Sequence, residues 1–197
     1  MTATFSHWLH RHNLAVPATL ALPSVAIAIA GTQASAWLRY EREQILAGEF
    51  WRLLTASFVH LGWGHLLMNL AALALIWMLF GRLLTTKTWL LLSLASLLSV
   101  SLGLLAFSPA IAWYVGLSGM LHGLFAAGAI ASLRAGHRLE LALLALLLGK
   151  IIWEQTHGPL PGTAEFAGGA VVTDAHLYGA VGGFISVLAY MLMTRKG

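Results

Sequence analysis

Six apolar stretches, separated by short polar segments, make up most of this sequence. They cover residues 14–37, 61–80, 89–107, 118–133, 139–153 and 175–193. A helix of about 20 apolar residues crosses the hydrocarbon core of a bilayer. Only 9% of the residues are charged, whereas soluble domains carry about 25%, so the chain has too little polar surface to coat a water-soluble globule. The sequence predicts an all-α integral membrane protein, one domain over residues 1–197 with six transmembrane helices.

The charged residues predict the orientation of these helices. If the N-terminus lies inside, the inner segments hold seven basic residues and one acidic residue, Glu140. The outer segments then hold four basic and six acidic residues. Since cytoplasmic loops carry an excess of Lys and Arg, both termini are predicted to be cytoplasmic. The inner basic residues are Arg11, Arg82, Lys87, Arg134, Arg138, Arg195 and Lys196.

Composition also restricts the partners. The eleven Lys and Arg residues are scattered along the chain, which indicates a lipid bilayer rather than nucleic acid as the partner. The chain has no cysteine, so neither disulfides nor a thiolate metal site can support the fold. We expect no cofactor and no metal, and the sequence does not predict an oligomeric state.

A serine between two glycines begins the fourth stretch, where Gly116 and Gly119 flank Ser118. Glycine lets the backbone bend sharply, so the serine hydroxyl and its own N–H can both face a substrate. A serine nucleophile needs a base, and His176 lies at the start of the sixth stretch. The pair predicts serine hydrolase chemistry inside a membrane.

Small residues follow both of these side chains. Gly119 and Gly123 form a Gly-x-x-x-Gly motif, and Gly179 and Gly183 form another. Two helices with such motifs can pack backbone to backbone, which would bring the serine and the histidine together. The alternative is packing alone, because the motif is common in membrane helices.

Helix geometry places four polar groups at a similar depth. Ser118 lies sixteen residues before the basic residue at the inner end of its stretch, or about 24 Å at 1.5 Å per residue. The same estimate gives about 20 Å for Asn69, 26 Å for His65 and 28 Å for His176. In a core about 30 Å thick, the four groups share a layer below the outer surface.

Three motifs occur in order along the chain. They are Trp51-Arg52 with His60, His65 and Asn69; Gly116-x-Ser118-Gly119; and Ala175-His176 with Gly179 and Gly183. Together they resemble the rhomboid family of intramembrane serine proteases, over a region from Trp51 to Gly183. The resemblance implies a multi-pass protein, in a bacterial inner membrane, that cleaves transmembrane protein substrates near the outer side of the bilayer.

The resemblance also implies roles for the residues. Ser118 attacks the peptide carbonyl, and His176 acts as general base and then general acid. The Ser118 N–H and the side chains of His65 and Asn69 form an oxyanion hole. No carboxylate is predicted to complete a triad, because Asp174 lies on a different helical face from His176 and is expected to cap the sixth helix.

One position departs from the family pattern. The residue one turn after the nucleophile is often a tyrosine in bacterial rhomboids, and here it is His122. It either stacks against His176 and tunes its basicity, or only packs. With residues 150–155 and the small size, this segment is similar to the rhombosortase branch. That branch is thought to process proteins whose C-terminal tail carries Gly-Gly, a transmembrane helix and a basic cluster.

Several residues admit two interpretations. Lys150 and Glu154, at i and i+4, are expected to form an ion pair that anchors the fifth helix; the alternative is binding of a charged substrate group. We expect His60 to hydrogen-bond the loop 39–59 rather than act in catalysis. Residues 155–172 are expected to form a mobile cap over the site, or else an inert connector. The tryptophans expected at the membrane interface are Trp37, Trp51, Trp89 and Trp153.

The alternatives to a protease are an inactive rhomboid-like protein that binds membrane clients, and a transporter. A coupled transporter would normally carry carboxylates within its spans, and none is predicted at depth here. A zinc site is a further alternative, with the ligands His60, His65, His122 and His176. Two acyl acceptors are also open, since water would make the protein a protease and an amine or lipid would make it a transpeptidase-like processor.

Overall fold

Six long helices coincide with the six apolar stretches. The structure, a computed structural model, describes residues 14–194. In chain order its elements are α1 (Ala15–Leu38), β1 (Tyr40–Glu41), α2 (Arg42–Leu46), α3 (Arg52–Thr55), a 3₁₀ turn (Ala56–Phe58), α4 (Trp63–Phe80), α5 (Thr86–Phe107), β2 (Trp113–Tyr114), α6 (Ser118–Arg134), α7 (Glu140–His157), α8 (Thr163–Ala167) and α9 (Thr173–Thr194). The predicted helical fold class is confirmed, with one small two-stranded sheet added.

Among the described residues, four helices are long and apolar enough to cross a membrane, namely α1, α4, α5 and α9. Helix α6 is shorter, with 17 residues, and α7 carries Glu140, Lys150 and Glu154. The count of six membrane spans therefore stays a prediction. So does the orientation, since Arg11, Arg195 and Lys196 lie outside the described residues.

Helix α6 lies at the centre of the helices and contacts α4, α5, α7 and α9. Its buried residues are mostly small, and α9 forms the most extensive contact with it. Where the side chains of α6 are small, the neighbouring helices can approach its backbone closely. The sequence of α6 therefore places Ser118, its first residue, where several helices meet.

Two arginines, the buried Arg52 and the half-buried Arg42, order the loop between α1 and α4. Arg52 is 6% exposed, and its guanidinium donates to the carbonyls of Ala36 and Arg39, each at 2.9 Å, and to Glu49 at 2.5 Å. Arg42 donates to carbonyls at the end of α5. Strand β1 pairs antiparallel with β2. The loop is thus tied to the segment that leads into α6.

The expectation that Trp89 anchors the protein at the membrane interface is wrong. Its side chain is 1% exposed, its Nε1–H donates to the Gly81 carbonyl at 3.3 Å, and its ring lies 5.7 Å from the Trp77 ring. Because α5 begins at Thr86, Trp89 lies inside the helix rather than at its end. The other three tryptophans are exposed, and their anchoring role stays a prediction.

Candidate active site

Ser118 is the first residue of α6. The first N–H groups of a helix have no acceptor within it, so the Ser118 N–H is free of the helical hydrogen-bond pattern. Two contacts fix the preceding backbone: the Gly116 N–H donates to the Ala56 carbonyl at 3.2 Å, and the Tyr114 hydroxyl donates to the Gly116 carbonyl at 2.6 Å. The backbone just before Ser118 is therefore fixed through both the N–H and the carbonyl of Gly116.

Gly116 meets two demands that exclude other residues. Its φ is +125°, which side chains disfavour. A Cβ at this position would lie 2.7 Å from His65 Cε1 and 3.0 Å from His65 Nε2. The absence of a side chain lets the histidine approach the backbone just before Ser118.

Helices α6 and α9 touch through their glycines. A Cβ on Gly179 would overlap the Gly119 carbonyl, and a Cβ on Gly183 would overlap the Gly123 carbonyl. The two backbones are therefore in direct contact at both motifs, as close packing in membranes allows.

This contact brings the predicted nucleophile and base together. His176 Nε2 lies 3.0 Å from Ser118 Oγ, a hydrogen-bond distance. His176 is 5% exposed, and Ser118 is half-buried. The hydroxyl can therefore lose its proton to an imidazole that is shielded from bulk water.

His122 lies parallel to the base. Its ring is 4.2 Å from the His176 ring with 12° between the planes. Its Nδ1 lies 2.7 Å from the Ser118 carbonyl and its Nε2 lies 3.0 Å from Lys150 Nζ. Since an ammonium can only donate, Nε2 is the acceptor and Nδ1–H donates to the carbonyl. Three contacts thus hold the ring against His176.

The expectation that no carboxylate lies beside His176 is wrong. Glu154 Oε2 lies 2.8 Å from His176 Nδ1, and Glu154 is 3% exposed. The same finding removes the argument against a coupled transporter, which depended on the absence of a carboxylate at depth. The carboxylate comes from the last turn of α7, whereas the serine and the histidine come from α6 and α9.

The expected ion pair of Lys150 with Glu154 is present, with Nζ 2.6 Å from Oε1. The two carboxylate oxygens therefore divide their partners, one for the ammonium and one for the imidazole of His176. Lys150 is 29% exposed at its side chain. Lys150 makes more contacts than an ion pair that only anchors α7 would require, because its Nζ also lies 3.5 Å from His176 Nδ1.

His65 and Asn69 lie on α4, next to the segment before Ser118. The Leu61 N–H donates to His65 Nδ1 at 3.4 Å, which leaves the other ring nitrogen as the donor in the neutral imidazole. Asn69 is 4% exposed, and its Nδ2 has no hydrogen-bond partner within residues 14–194. That nitrogen lies 3.9 Å from the point that a Cβ on Gly116 would occupy.

His60 contacts the loop and the ring of His65. Its Nδ1 lies 3.2 Å from the Phe58 carbonyl, and its ring meets the His65 ring edge to face at 5.0 Å. The hydrogen bond expected between His60 and the loop is present. Burial and the neighbouring His65 lower the pKa of His60 to about 4, so it is neutral near pH 7 and Nδ1–H donates to the carbonyl.

Within the described part of the chain, a group of possible metal ligands is formed by His122, Glu154 and His176, whose ligand atoms lie within 4.8 Å of one another. This set differs from the four histidines considered above, since His60 and His65 are not part of it. Lys150 Nζ lies within 3.5 Å of an atom of each residue. A metal cation would have to displace that ammonium group, so the arrangement favours a hydrogen-bonded network.

A cavity of about 250 Å³ lies beside the nucleophile. Ser118 and His65 line it together with the segment around β2 and the end of the α8–α9 loop. The loop is positioned through α8, where the Phe166 carbonyl lies 2.6 Å from the point that a Cβ on Gly64 would occupy. The cavity is large enough to accept part of an extended peptide.

The model of the rhomboid domain family matches residues 47–193. The chain belongs to the rhomboid family. Rhomboids are intramembrane serine proteases that act on transmembrane substrates within the bilayer, and the expectation of a membrane-embedded hydrolase is confirmed. No curated protein shows significant similarity to the chain.

Two residues of this rhomboid differ from the sequence-based expectation. Asp174, expected to cap α9, lies inside its first turn and accepts a hydrogen bond from Ser108 Oγ at 2.5 Å. Glu154 was missed as a neighbour of His176. A signal was available, because Glu154 lies sixteen residues after Arg138, about 24 Å from the inner end, the same depth as Ser118.

Proposed function

We propose that this rhomboid cleaves membrane-anchored proteins with Ser118 as nucleophile and His176 as general base. The observation that carries the proposal is the 3.0 Å distance between Ser118 Oγ and His176 Nε2 in a buried setting. General bases act over this distance range. The Gly-Gly packing of α6 on α9 holds the two groups together without requiring any movement.

The reaction proceeds in two halves. Ser118 Oγ forms a bond to the substrate carbonyl carbon, its proton moves to His176 Nε2, and the C=O π electrons move to the oxygen. The C–N bond then breaks, and His176 returns the proton to the leaving nitrogen. Water attacks the resulting ester and gives its proton to His176, which returns it to Ser118 Oγ as the acid leaves.

Three donors support an oxyanion hole near Ser118. The Ser118 N–H lies at a helix N-terminus, where the helix dipole favours negative charge. His65 has a ring nitrogen left to donate. Asn69 Nδ2 is buried without a partner within residues 14–194, and an unpaired buried donor is costly. A developing oxyanion would supply the missing acceptor, and each such donor contributes about 3 kcal/mol to the transition state.

An apolar cleft of about 280 Å³ lies between α4, α6 and α7. Its walls are aliphatic and aromatic side chains, and His122 and Lys150 line it beside the proposed catalytic groups. An apolar transmembrane segment of a substrate matches this lining. We therefore assign the cleft as the path by which a substrate helix approaches Ser118.

Residues 155–157 of the predicted cap belong to α7, and we propose that the remainder, residues 158–172, acts as the cap of the site. Ala170, Val171 and Val172 line the cavity that contains Ser118, so movement of this segment would open it to water and peptide. Replacing residues 159–169 by a flexible linker should change KM and turnover while leaving Tm nearly unchanged. Unaltered kinetics would identify the segment as a connector.

The substrate class is proposed from the resemblance to the rhombosortase branch. His122 and Lys150, which carry part of that resemblance, lie 3.0 Å apart at the proposed site. In proteoliposomes, a reporter with a Gly-Gly, transmembrane and basic tail should be cleaved. The same reporter with Val-Val in place of Gly-Gly tests this class, since equal cleavage of both would contradict it. The setting of this chemistry is expected to be a bacterial inner membrane.

Covalent labelling tests the nucleophile directly. Membrane-embedded protein is treated with a serine-directed phosphonate probe, and the adduct is mapped by mass spectrometry. We expect an adduct on Ser118 that is lost in Ser118→Ala and in His176→Ala. Absence of the adduct in protein of unchanged Tm would favour the client-binding alternative.

A further inference from the structure

A buried carboxylate lies on the side of His176 that faces away from the nucleophile. Glu154 Oε2 is 2.8 Å from His176 Nδ1, while Ser118 Oγ is 3.0 Å from Nε2. The three residues come from α7, α6 and α9. Their connection through the two ring nitrogens is that of a serine, a base and an orienting acid.

The carboxylate selects the useful form of the imidazole. An ionised carboxylate only accepts hydrogen bonds, so His176 must carry its proton on Nδ1. Nε2 then presents its lone pair to the hydroxyl of Ser118, as a general base requires. Without Glu154, the other tautomer would place a proton between Nε2 and Oγ and block proton transfer from the serine.

Lys150 keeps the carboxylate ionised and in place. Its ammonium lies 2.6 Å from Glu154 Oε1 and 3.0 Å from His122 Nε2. An unpaired carboxylate would be costly in this buried position. Because the ammonium balances the charge of Glu154, the carboxylate acts on His176 mainly through orientation rather than through net charge.

We propose that Glu154 is the third member of a Ser118–His176–Glu154 triad, and that Lys150 holds it there. Glu154 is a positioning residue, since it acts on the reacting atoms through His176. This assignment rests on the proposed function of Ser118 and His176. The competing role for Glu154 is a helix anchor, in which only its ion pair with Lys150 matters.

Two conservative variants separate these roles. Glu154→Gln keeps the size, but its amide can donate to Nδ1 and so stabilise the wrong tautomer. Glu154→Asp keeps the charge for Lys150, whose long side chain can follow it, but withdraws the carboxylate by one methylene from His176. A triad predicts that both variants lose activity, whereas a helix anchor predicts that Glu154→Asp retains it.

The test measures kcat, KM and Tm for both variants with a membrane-anchored reporter. We expect kcat to fall about 10⁴-fold in Glu154→Gln, as for the corresponding change of carboxylate to amide in a soluble serine protease, and at least tenfold in Glu154→Asp, with KM within threefold. A loss of kcat below tenfold in either variant would overturn the proposal. Glu140→Gln, at the other end of α7, is the matched control and should leave kcat unchanged.

A second measurement does not depend on turnover. Histidine-selective ¹⁵N NMR of Ser118→Ala protein reports the tautomer of His176, with the resonance assigned by its loss in His176→Ala. We expect the proton on Nδ1, and on Nε2 once Glu154→Gln is added. An Nε2–H signal in the parent would overturn the assignment of Glu154, while full activity of Ser118→Ala would overturn the proposed function instead.

Discussion

Replacing Gly179 by alanine should separate Ser118 from His176 without altering either residue. The added Cβ would overlap the Gly119 carbonyl, whereas ordinary contact begins near 3.4 Å. Neither partner can rotate away, because the contact involves backbone on both helices. To relieve the overlap, α6 and α9 must move apart by about 1 Å or more, since packed interiors have few voids to absorb the shift.

The effect of this shift on the reaction rate can be estimated from the distance between Ser118 and His176. The distance from Ser118 Oγ to His176 Nε2 is 3.0 Å, and an added 1 Å would take it beyond hydrogen-bond range. Misplacement by 1 Å costs about 100-fold in rate, which corresponds to about 2.7 kcal/mol. Overpacking of a well-packed interface also costs about 1–3 kcal/mol of stability.

The assay compares kcat/KM for a membrane-anchored reporter, the extent of probe labelling, and Tm. Gly149→Ala is the matched control, because among residues 14–194 a Cβ at that helical position meets no atom within 4 Å apart from the local backbone of its own helix. We expect the control to keep its activity within twofold and its Tm unchanged or raised, since alanine favours helices. Activity of Gly179→Ala within threefold of wild type would refute the backbone contact as the feature that aligns the two groups.

Three further changes should give distinct results. Asn69→Leu should lower kcat about 10²- to 10³-fold by removing an oxyanion donor while leaving Tm unchanged or raised, because a buried unpaired amide is lost; a lowered Tm with normal kcat would contradict this role. Arg52→Leu should lower stability by about 1.5–3 kcal/mol, measured by thermal unfolding, because loop carbonyls lose a charged donor. Gly64→Ala should displace the Phe166 carbonyl and change KM more than kcat, as seen in initial-rate kinetics; an equal effect on both would argue against a role in access.

The long helices could be predicted because apolar length is a local property of the chain. Each of the six stretches became one helix, and the main differences are at the ends: α5 begins at Thr86 and α7 extends to His157. The extension of α7 carries Glu154 within the helix and shortens the connecting loop. Trp89 shows the limit of this reasoning, since an aromatic residue near a predicted end turned out to be buried within the core.

The candidate site was only partly predictable. The positions of Ser118 and His176 follow from motifs with glycines at fixed spacing, and glycine spacing reports where two backbones can touch. The carboxylate of Glu154 belongs to a third helix without such a motif. The i, i+4 spacing of Lys150 and Glu154 predicted their ion pair, but two residues on one helix give no information about a histidine on another helix.

Length, hydropathy and small-residue spacing were thus enough to predict a helical membrane protein, a shared depth for its polar groups, and candidate residues for the chemistry. Each of these properties depends on residues that are close together in the sequence. The contacts of Glu154 with His176 and of Lys150 with His122 depend on how α7 is rotated and placed beside α6 and α9. Hydropathy does not report how α7 is rotated about its axis, because lipid and the small side chains of the neighbouring helices are nearly equally apolar surroundings. Only the packing of α6, α7 and α9 places Ser118 Oγ and Glu154 Oε2 at hydrogen-bond distance from the two ring nitrogens of His176.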